Sequence, residues 1–369
     1  MKFIFIIQGE GRGHLTQALS FASLLRSQGH ELLGAVVGKS QRRTLPDFFI
    51  QKIGVPITLV DSPNFETDGI EKKILLGKTI WKNTLKLSLF WKSIQAIHKL
   101  LKEKEPDVIV NFYEILGGIY PLFYKTNASV WVIGHQYLER HPAFAFAPNR
   151  PLEKLLFQMH TRFTAFGSQK KLALSFLPKE STKEVRVLPP LLRPEIRDLK
   201  VSYTGFYLTY MVNPGYANEV VQYAKNNPQQ IIMAFWDKKQ AAETEYPLPN
   251  LSFHKVNDQK FLEAMASCSG LVCTAGFESV CEAMYLGKPV IMVPVAGHYE
   301  QACNALDGEN SGAGWASDRF DFEKLTNLSS GECTSRLMKA WVDQWPKKLQ
   351  ELTAEERVNF PFIFQSQLT

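Results

Sequence analysis

The stretch Val272-Cys-Thr-Ala-Gly-Phe-Glu-Ser-Val-Cys-Glu-Ala-Met-Tyr-Leu-Gly-Lys-Pro-Val-Ile-Met-Val-Pro294 decides the fold class. An apolar run, Gly270 to Cys273, stops at Ala-Gly. Phe277 to Leu286 then carries apolar residues at helical spacing, and after Gly-Lys a second apolar run, Pro289 to Val293, begins. Strand, helix and strand joined this tightly form a βαβ unit, and such units build parallel sheets covered on both faces.

The same grammar recurs outward from this block. Lys2 to Ile7 reads as a strand, Leu15 to Gly29 as a helix and Glu31 to Val37 as a strand, with further strands at Asp107 to Asn111 and Ser129 to Ile133. Periodicity is lost in the proline-rich segment from Val187 to Lys200, which reads as an interdomain linker. It returns in the strands Phe206 to Val212 and Gln230 to Phe235 and the helices Tyr216 to Asn226 and Asp258 to Ser267. The expected architecture is α/β: two doubly wound Rossmann-like domains, residues 1–198 and 199–369, facing a cleft.

Composition agrees with two cores: 369 residues, 45% hydrophobic. No run of about 18 uncharged apolar residues occurs and the start lacks a signal-peptide pattern, so a cytoplasmic chain is expected. The five cysteines, with no CxxC pair, read as reduced core thiols. The net charge of +6 is unevenly spread. Residues 1–200 hold 29 Lys and Arg against 17 Asp and Glu, and the remainder 13 against 19, so the two halves face different partners.

Near the start stands Gln8-Gly-Glu-Gly-Arg-Gly-His14. It is not a dinucleotide fingerprint: the sixth position from Gly9 is His14, and the second strand ends in Gly38-Lys39 without an acid. Nor is there a P-loop, because Leu33 and Lys72 stand where the first glycine should precede Gly38-Lys-Ser and Gly77-Lys-Thr. The cleft loop Gly11-Arg12-Gly13 instead leaves room around His14, whose imidazole can take a proton from an attacking hydroxyl. Downstream, Gly276 allows close approach of a ligand, and the helix after it offers free N–H groups and a positive dipole end to a diphosphate. Ser279 adds a hydroxyl, and Glu282, one turn deeper, can accept both hydroxyls of a ribose. Asn213, after the first strand of the second half, is a further donor-side candidate.

On these motifs the chain resembles the GT-B glycosyltransferases of the family 1 kind, among them the bacterial lipid-linked N-acetylglucosaminyltransferases. The resemblance covers both halves and is most specific from Gly276 to Ala305. It implies a nucleotide-sugar donor, UDP-linked, bound by Gly276, Ser279, Glu282 and the pair Glu300-Gln301, with His14 of the Gly-His pair as catalytic base, and with neither cofactor nor metal. Plant members begin the block with a phosphate-binding histidine and have asparagine before the serine; here these positions are Thr274 and Glu278. Glu278 is expected to point outward. The partner aspartate of the base has Glu114 as its substitute.

The acceptor is not named by any motif. Residues 70–104 interleave Lys78, Lys82 and Lys86 with Trp81, Leu85, Leu89 and Phe90, a pattern that fits an anionic membrane surface or acceptor as well as a core helix with a solvated edge. His135 to Phe146 is a second aromatic stretch for the acceptor pocket. Nucleic acid is not an expected partner, because no aromatic-basic RNA signature occurs. The function expected is an inverting, metal-independent glycosyltransferase. Two alternatives stay open: a non-catalytic nucleotide-sugar binder, and a nucleotide-sugar epimerase of the same architecture.

Overall fold

The computed structural model describes residues 1–39, 44–63, 77, 81, 83–211, 214–238, 241–327 and 332–359. Its first sheet contains β1 (Lys2–Ile7), β2 (Glu31–Lys39), β3 (Ile57–Asp61), β4 (Val108–Phe112), β5 (Ser129–Gly134), β6 (Lys170–Leu174) and β7 (Arg186–Leu188), in the order β3-β2-β1-β4-β5-β6-β7. All of its pairings are parallel. Phe3 to Ile7 are fully buried, as an inner parallel strand covered on both faces requires.

The second sheet contains β8 (Phe206–Met211), β9 (Ile231–Trp236), β10 (Thr244–Leu248), β11 (Leu251–Lys255), β12 (Gly270–Thr274), β13 (Val290–Val293) and β14 (Gly314–Ala316). The order is β10-β11-β9-β8-β12-β13-β14, antiparallel only between β10 and β11. Each sheet reverses its winding once, between β1 and β4 and between β8 and β12, and such switch points open ligand crevices at the carboxyl ends of the strands. The helices that matter leave those points: α1 (Arg12–Ser27) follows β1. The others are α2 (Asp47–Ile53), α3 (Leu87–Lys104), α4 (Ile115–Ile119), α5 (Pro151–Thr164), α6 (Ala217–Asn226), α7 (Asp258–Ser267), α8 (Phe277–Tyr285) after β12, α9 (Tyr299–Asn310), α10 (Glu332–Val342) and α11 (Trp345–Asn359).

Three expectations change. Helix α1 starts at Arg12, not Leu15, so Gly11 is its N-cap and Arg12, Gly13 and His14 are its first turn, not a cleft loop. The proline-rich segment is no exposed linker: Leu191, Leu192 and Arg193 are buried, and Leu191 and Leu192 belong to a hydrophobic cluster that runs from the first sheet into the second half. The end of the chain, grouped by sequence with the second half, returns to the first. Trp345 packs on Phe21 and its indole donates to Pro190 O at 3.0 Å, while Glu356 Oε1 accepts from Trp131 Nε1 at 2.9 Å. Cys268, Cys273, Cys281 and Cys303 are free and buried, as expected for core thiols. Among the described residues no helix is long and apolar enough to cross a membrane.

Candidate active site

Helices α1 and α8 point their amino ends at the same cleft, whose cavity measures about 230 Å³ and is lined from both halves. Gly11 and Gly276 are the two N-caps, and neither helix has a side-chain cap. The chain of α1 comes close enough to α8 that a Cβ on Gly13 would stand 3.4 Å from Glu278 Cγ. Of the glycines in the first loop only Gly9 is demanded by packing, since a Cβ there would run into the Gly38 carbonyl of β2.

His14 is 8% exposed and stacks on the Tyr113 ring, centroids 5.7 Å apart. Gln17 Oε1 accepts from its Nδ1 at 3.3 Å, and Gln136 Nε2 faces its Nε2 at 3.4 Å. An amide oxygen only accepts, so this arrangement puts the proton on Nδ1 and the lone pair on Nε2. Burial pushes the imidazole down to about 4, and Gln17 pulls weakly the other way, so the ring is neutral at neutral pH.

Each glutamine is in turn held by a carboxylate from the second half. Gln17 Nε2 donates to Glu278 Oε1 at 2.6 Å, and Gln136 Nε2 to Glu300 Oε1 at 3.0 Å. Glu278 therefore faces the cleft, not the solvent: it is 7% exposed, and burial first, with Glu282 adding to it, pushes its carboxyl well up. Burial also raises Glu300 to about 7. Gln301 lines the same wall and its Oε1 accepts from Val295 N at 2.9 Å.

Glu114 is not the partner of His14. Tyr113 takes a left-handed backbone, φ 58°, which turns its own ring toward His14 and sends the next side chain the other way. Glu114 caps α4 through Leu116 N at 3.2 Å and accepts from Ser62 Oγ at 2.6 Å, joining the ends of β3 and β4. Its burial pushes the carboxyl up to about 7.

Gly276, Ser279 and Glu282 line the cleft as a group. Both oxygens of Glu282 are held by Arg193, Nε and Nη2 each at 2.6 Å, while Nη1 reaches Asp258 O at 2.8 Å. Thr274 is absent from the cleft wall: it is buried at the end of β12 beneath the turn. Asn213 lies outside the described residues, as do Lys78 and Lys82. Arg12 spans the cleft to Asp237 at the end of β9, Nη2 to Oδ1 3.0 Å. His135 lies flat against Phe277, centroids 4.1 Å apart, and His141 turns away to Glu180 O. Gln17, Gln136 and Arg193 were not legible as site residues, because amides and a linker arginine form no spacing pattern. Among the described residues no group of three or more His, Cys, Asp or Glu could hold a metal.

Two doubly wound domains that face one cleft, with uncapped helix N-termini from both, define a GT-B glycosyltransferase. Residues 1–330 match the family model described as glycosyl transferase family 1, and the chain belongs to that family. It is 23% identical over 362 residues to an uncharacterized glycosyltransferase of Methanosarcina acetivorans, covering 85% of each chain. It is 24% identical over 326 residues, 82% of each chain, to the Fusobacterium nucleatum UDP-N-acetylglucosamine–N-acetylmuramyl-(pentapeptide) pyrophosphoryl-undecaprenol N-acetylglucosamine transferase. The fold matches Phytolacca americana UGT2, solved with UDP-2fluoro-glucose and pterostilbene, at a TM-score of 0.60 and 12% identity, over 96% of this chain and 99% of that one.

Proposed function

We propose that this glycosyltransferase is inverting and metal-independent, that its donor is a UDP-sugar, and that its acceptor is a hydroxyl on a lipid-linked or anionic molecule. The observation that carries the reading is His14: neutral, its Nδ1 proton fixed by Gln17, its Nε2 left unprotonated beside the Gln136 amide, in the cleft that the open end of α8 also lines. In this reading Nε2 takes the acceptor proton as the oxygen attacks the anomeric carbon, and the diphosphate leaves toward the N–H groups after Gly276, with Ser279 adding its hydroxyl. A base lowered to about 4 by burial is weak alone. The negative diphosphate entering the same cleft raises it toward the working range.

Glu282, already rigid in the grip of Arg193, presents its carboxylate to the ribose, and Glu300 with Gln301 takes hydroxyls of the transferred sugar. The UDP assignment draws on the relatives that carry UDP in their names.

The acceptor side is supported by a surface. Trp81, Leu85, Trp91, Leu122 and Phe123 are exposed large apolar residues of the first half, and Trp91 joins Phe123 edge to face at 5.2 Å. Lys92 and Lys99 of α3, and Lys125, are exposed in the same half. Aromatics among lysines dock peripherally on anionic bilayers.

Thermal melts against UDP, GDP, ADP and dTDP and their sugars test the donor. A nucleotide at 100 times its dissociation constant adds about 2.7 kcal/mol; UDP-sugars are expected to give the largest rise, and a preference for another base overturns the UDP assignment. For His14→Asn, kcat is expected to fall about 10²–10⁴-fold with donor binding retained. Full turnover in that variant removes His14 as base.

A further inference from the structure

We infer that Glu278 is the positioning carboxylate of His14, acting across the cleft through the side-chain amide of Gln17, so that the base is completed by the opposite domain. The inference rests on His14 as the base proposed above.

The geometry is a chain of two bonds. Glu278 Oε1 accepts from Gln17 Nε2 at 2.6 Å, and Gln17 Oε1 accepts from His14 Nδ1 at 3.3 Å. An amide has a donor end and an acceptor end, so whatever fixes one end fixes the other. Glu278 Oε1 accepts at 2.6 Å whether the group is ionised or carries its proton on Oε2, which holds the NH2 end of Gln17 toward Glu278 and the oxygen toward His14. The imidazole must then carry its proton on Nδ1 and keep Nε2, which faces the Gln136 amide, unprotonated for the acceptor hydroxyl. Turned over, the amide would set its oxygen against Glu278 Oε1 and offer its N–H to Nδ1, the wrong tautomer for a base at Nε2.

No other carboxylate takes this place. Glu114 is committed to Ser62 and Leu116, and Glu300 reaches the other side of the ring through Gln136. The groups facing Glu278 are Gln17 and Gly13 on α1, Arg193 beyond β7, and Glu282 on its own helix. Its Oε2 is buried without a hydrogen-bond partner among the described residues, so the side chain is held by the Gln17 bond and not by a local network. Both glutamines belong to the first half and both glutamates to the second. With the halves apart, His14 keeps a glutamine whose amide is free to turn.

Long-range 1H–15N spectra of 15N-histidine-labelled protein read the tautomer directly, with His14 assigned among the eight histidines by its loss in His14→Asn. The wild type and Glu278→Gln, whose amide oxygen still accepts from Gln17, are expected to show the Nδ1–H form. With Gln136→Leu added to remove the N–H that also faces Nε2, Gln17→Leu and Glu278→Leu are expected to lose it, to lower kcat about 10–100-fold further, and to leave donor affinity undiminished relative to Gln136→Leu alone. In that background the Gln17→Leu/Glu278→Leu pair is expected to be no slower than either variant by itself, as for groups acting in series. Wild-type tautomer in Glu278→Leu there, or losses that multiply in the pair, overturns the inference. Should Glu278→Leu not fold, Gln17→Leu in the same background and Glu278→Gln carry the test: retention of the tautomer in the first or its loss in the second is equally fatal. If His14→Asn stays fully active, the base assignment fails on its own, and the tautomer in Gln17→Leu with Gln136→Leu still decides whether the relay exists.

Discussion

Arg193 and Glu282 form the shortest described ion pair in the cleft wall, two parallel bonds of 2.6 Å between a buried guanidinium and a buried carboxylate. A desolvated pair of this geometry does little for net stability, but losing one partner strands the other charge. Arg193→Ala is therefore expected to cost about 3–5 kcal/mol in urea unfolding, while Arg193→Met with Glu282→Leu costs clearly less. Equal losses in the two proteins would show that packing, not the stranded charge, sets the penalty. Gly9 is decided by space alone. Its Cβ would strike the backbone oxygen of Gly38, which cannot rotate away as a side chain could. Gly9→Ala is expected to destabilise by a few kcal/mol, read as a lowered melting temperature, whereas Gly11→Ala, whose Cβ would meet nothing closer than His14 Cδ2 at 3.4 Å, is expected to fold nearly as well.

At the scale of the element, what could be read in advance was what burial writes into composition. Inner parallel strands are apolar runs, so β1, β2, β4, β5, β8, β9, β12 and β13 announced themselves. The marginal strands did not: β6 opens with Lys170-Lys171 and β10 contains Pro247, because outer strands need less apolar surface. The start of α1 was misread for a different reason. Glycine is tolerated where helical N–H groups lack partners in any case, so Gly-Arg-Gly mimicked a loop. The residues legible for the site were those with a spacing: His14 after β1, and Gly276, Ser279 and Glu282 along α8. Amides that join them, Gln17 and Gln136, meet their partners only through the fold. Most of the described part of the lysine and aromatic stretch is α3, which buries Phe90, Ile94, Ile97 and Leu101 and leaves Trp91 outward on the 120–124 turn. Cosedimentation with phosphatidylglycerol vesicles is expected to fall in Trp91→Ala/Phe123→Ala and to weaken with salt, because lysine attraction is screened. Equal binding to phosphatidylcholine vesicles, or no effect of the double variant, would remove the membrane surface from the proposal.

The whole molecule is tied across its cleft by Arg12 to Asp237, by the glutamine to glutamate pairs, and by α11 returning to the first sheet. The consequence of holding so many titratable groups dry is a stability that depends on pH in opposing ways. His14 and His160, both lowered from 6.5 to about 4 by burial, bind fewer protons folded than unfolded, so they make the fold more stable as pH rises from about 4 to 6.5. Glu114 and Glu300, raised from 4.5 to about 7 by the same cause, bind more protons folded than unfolded. Their contribution is present below about 4.5 and is lost as pH rises through 7. Between 4.5 and 6.5 the two sets offset each other; above 6.5 the histidines are spent and only the carboxyls still titrate. Glu114 isolates the second set away from the cleft wall, because it lies behind Tyr113, where its Oε1 accepts from Ser62 and Leu116. A neutral amide there keeps the acceptor oxygen for both partners and removes the buried charge. Glu114→Gln is thus expected to match the wild type near pH 4.5 and to exceed it increasingly at pH 6, 7 and 8, by up to about 3 kcal/mol, in urea unfolding at each pH. A gap that does not change with pH would mean that Glu114 ionises in the fold as it does in the unfolded chain, and that the end of β4 is wetter than its burial implies.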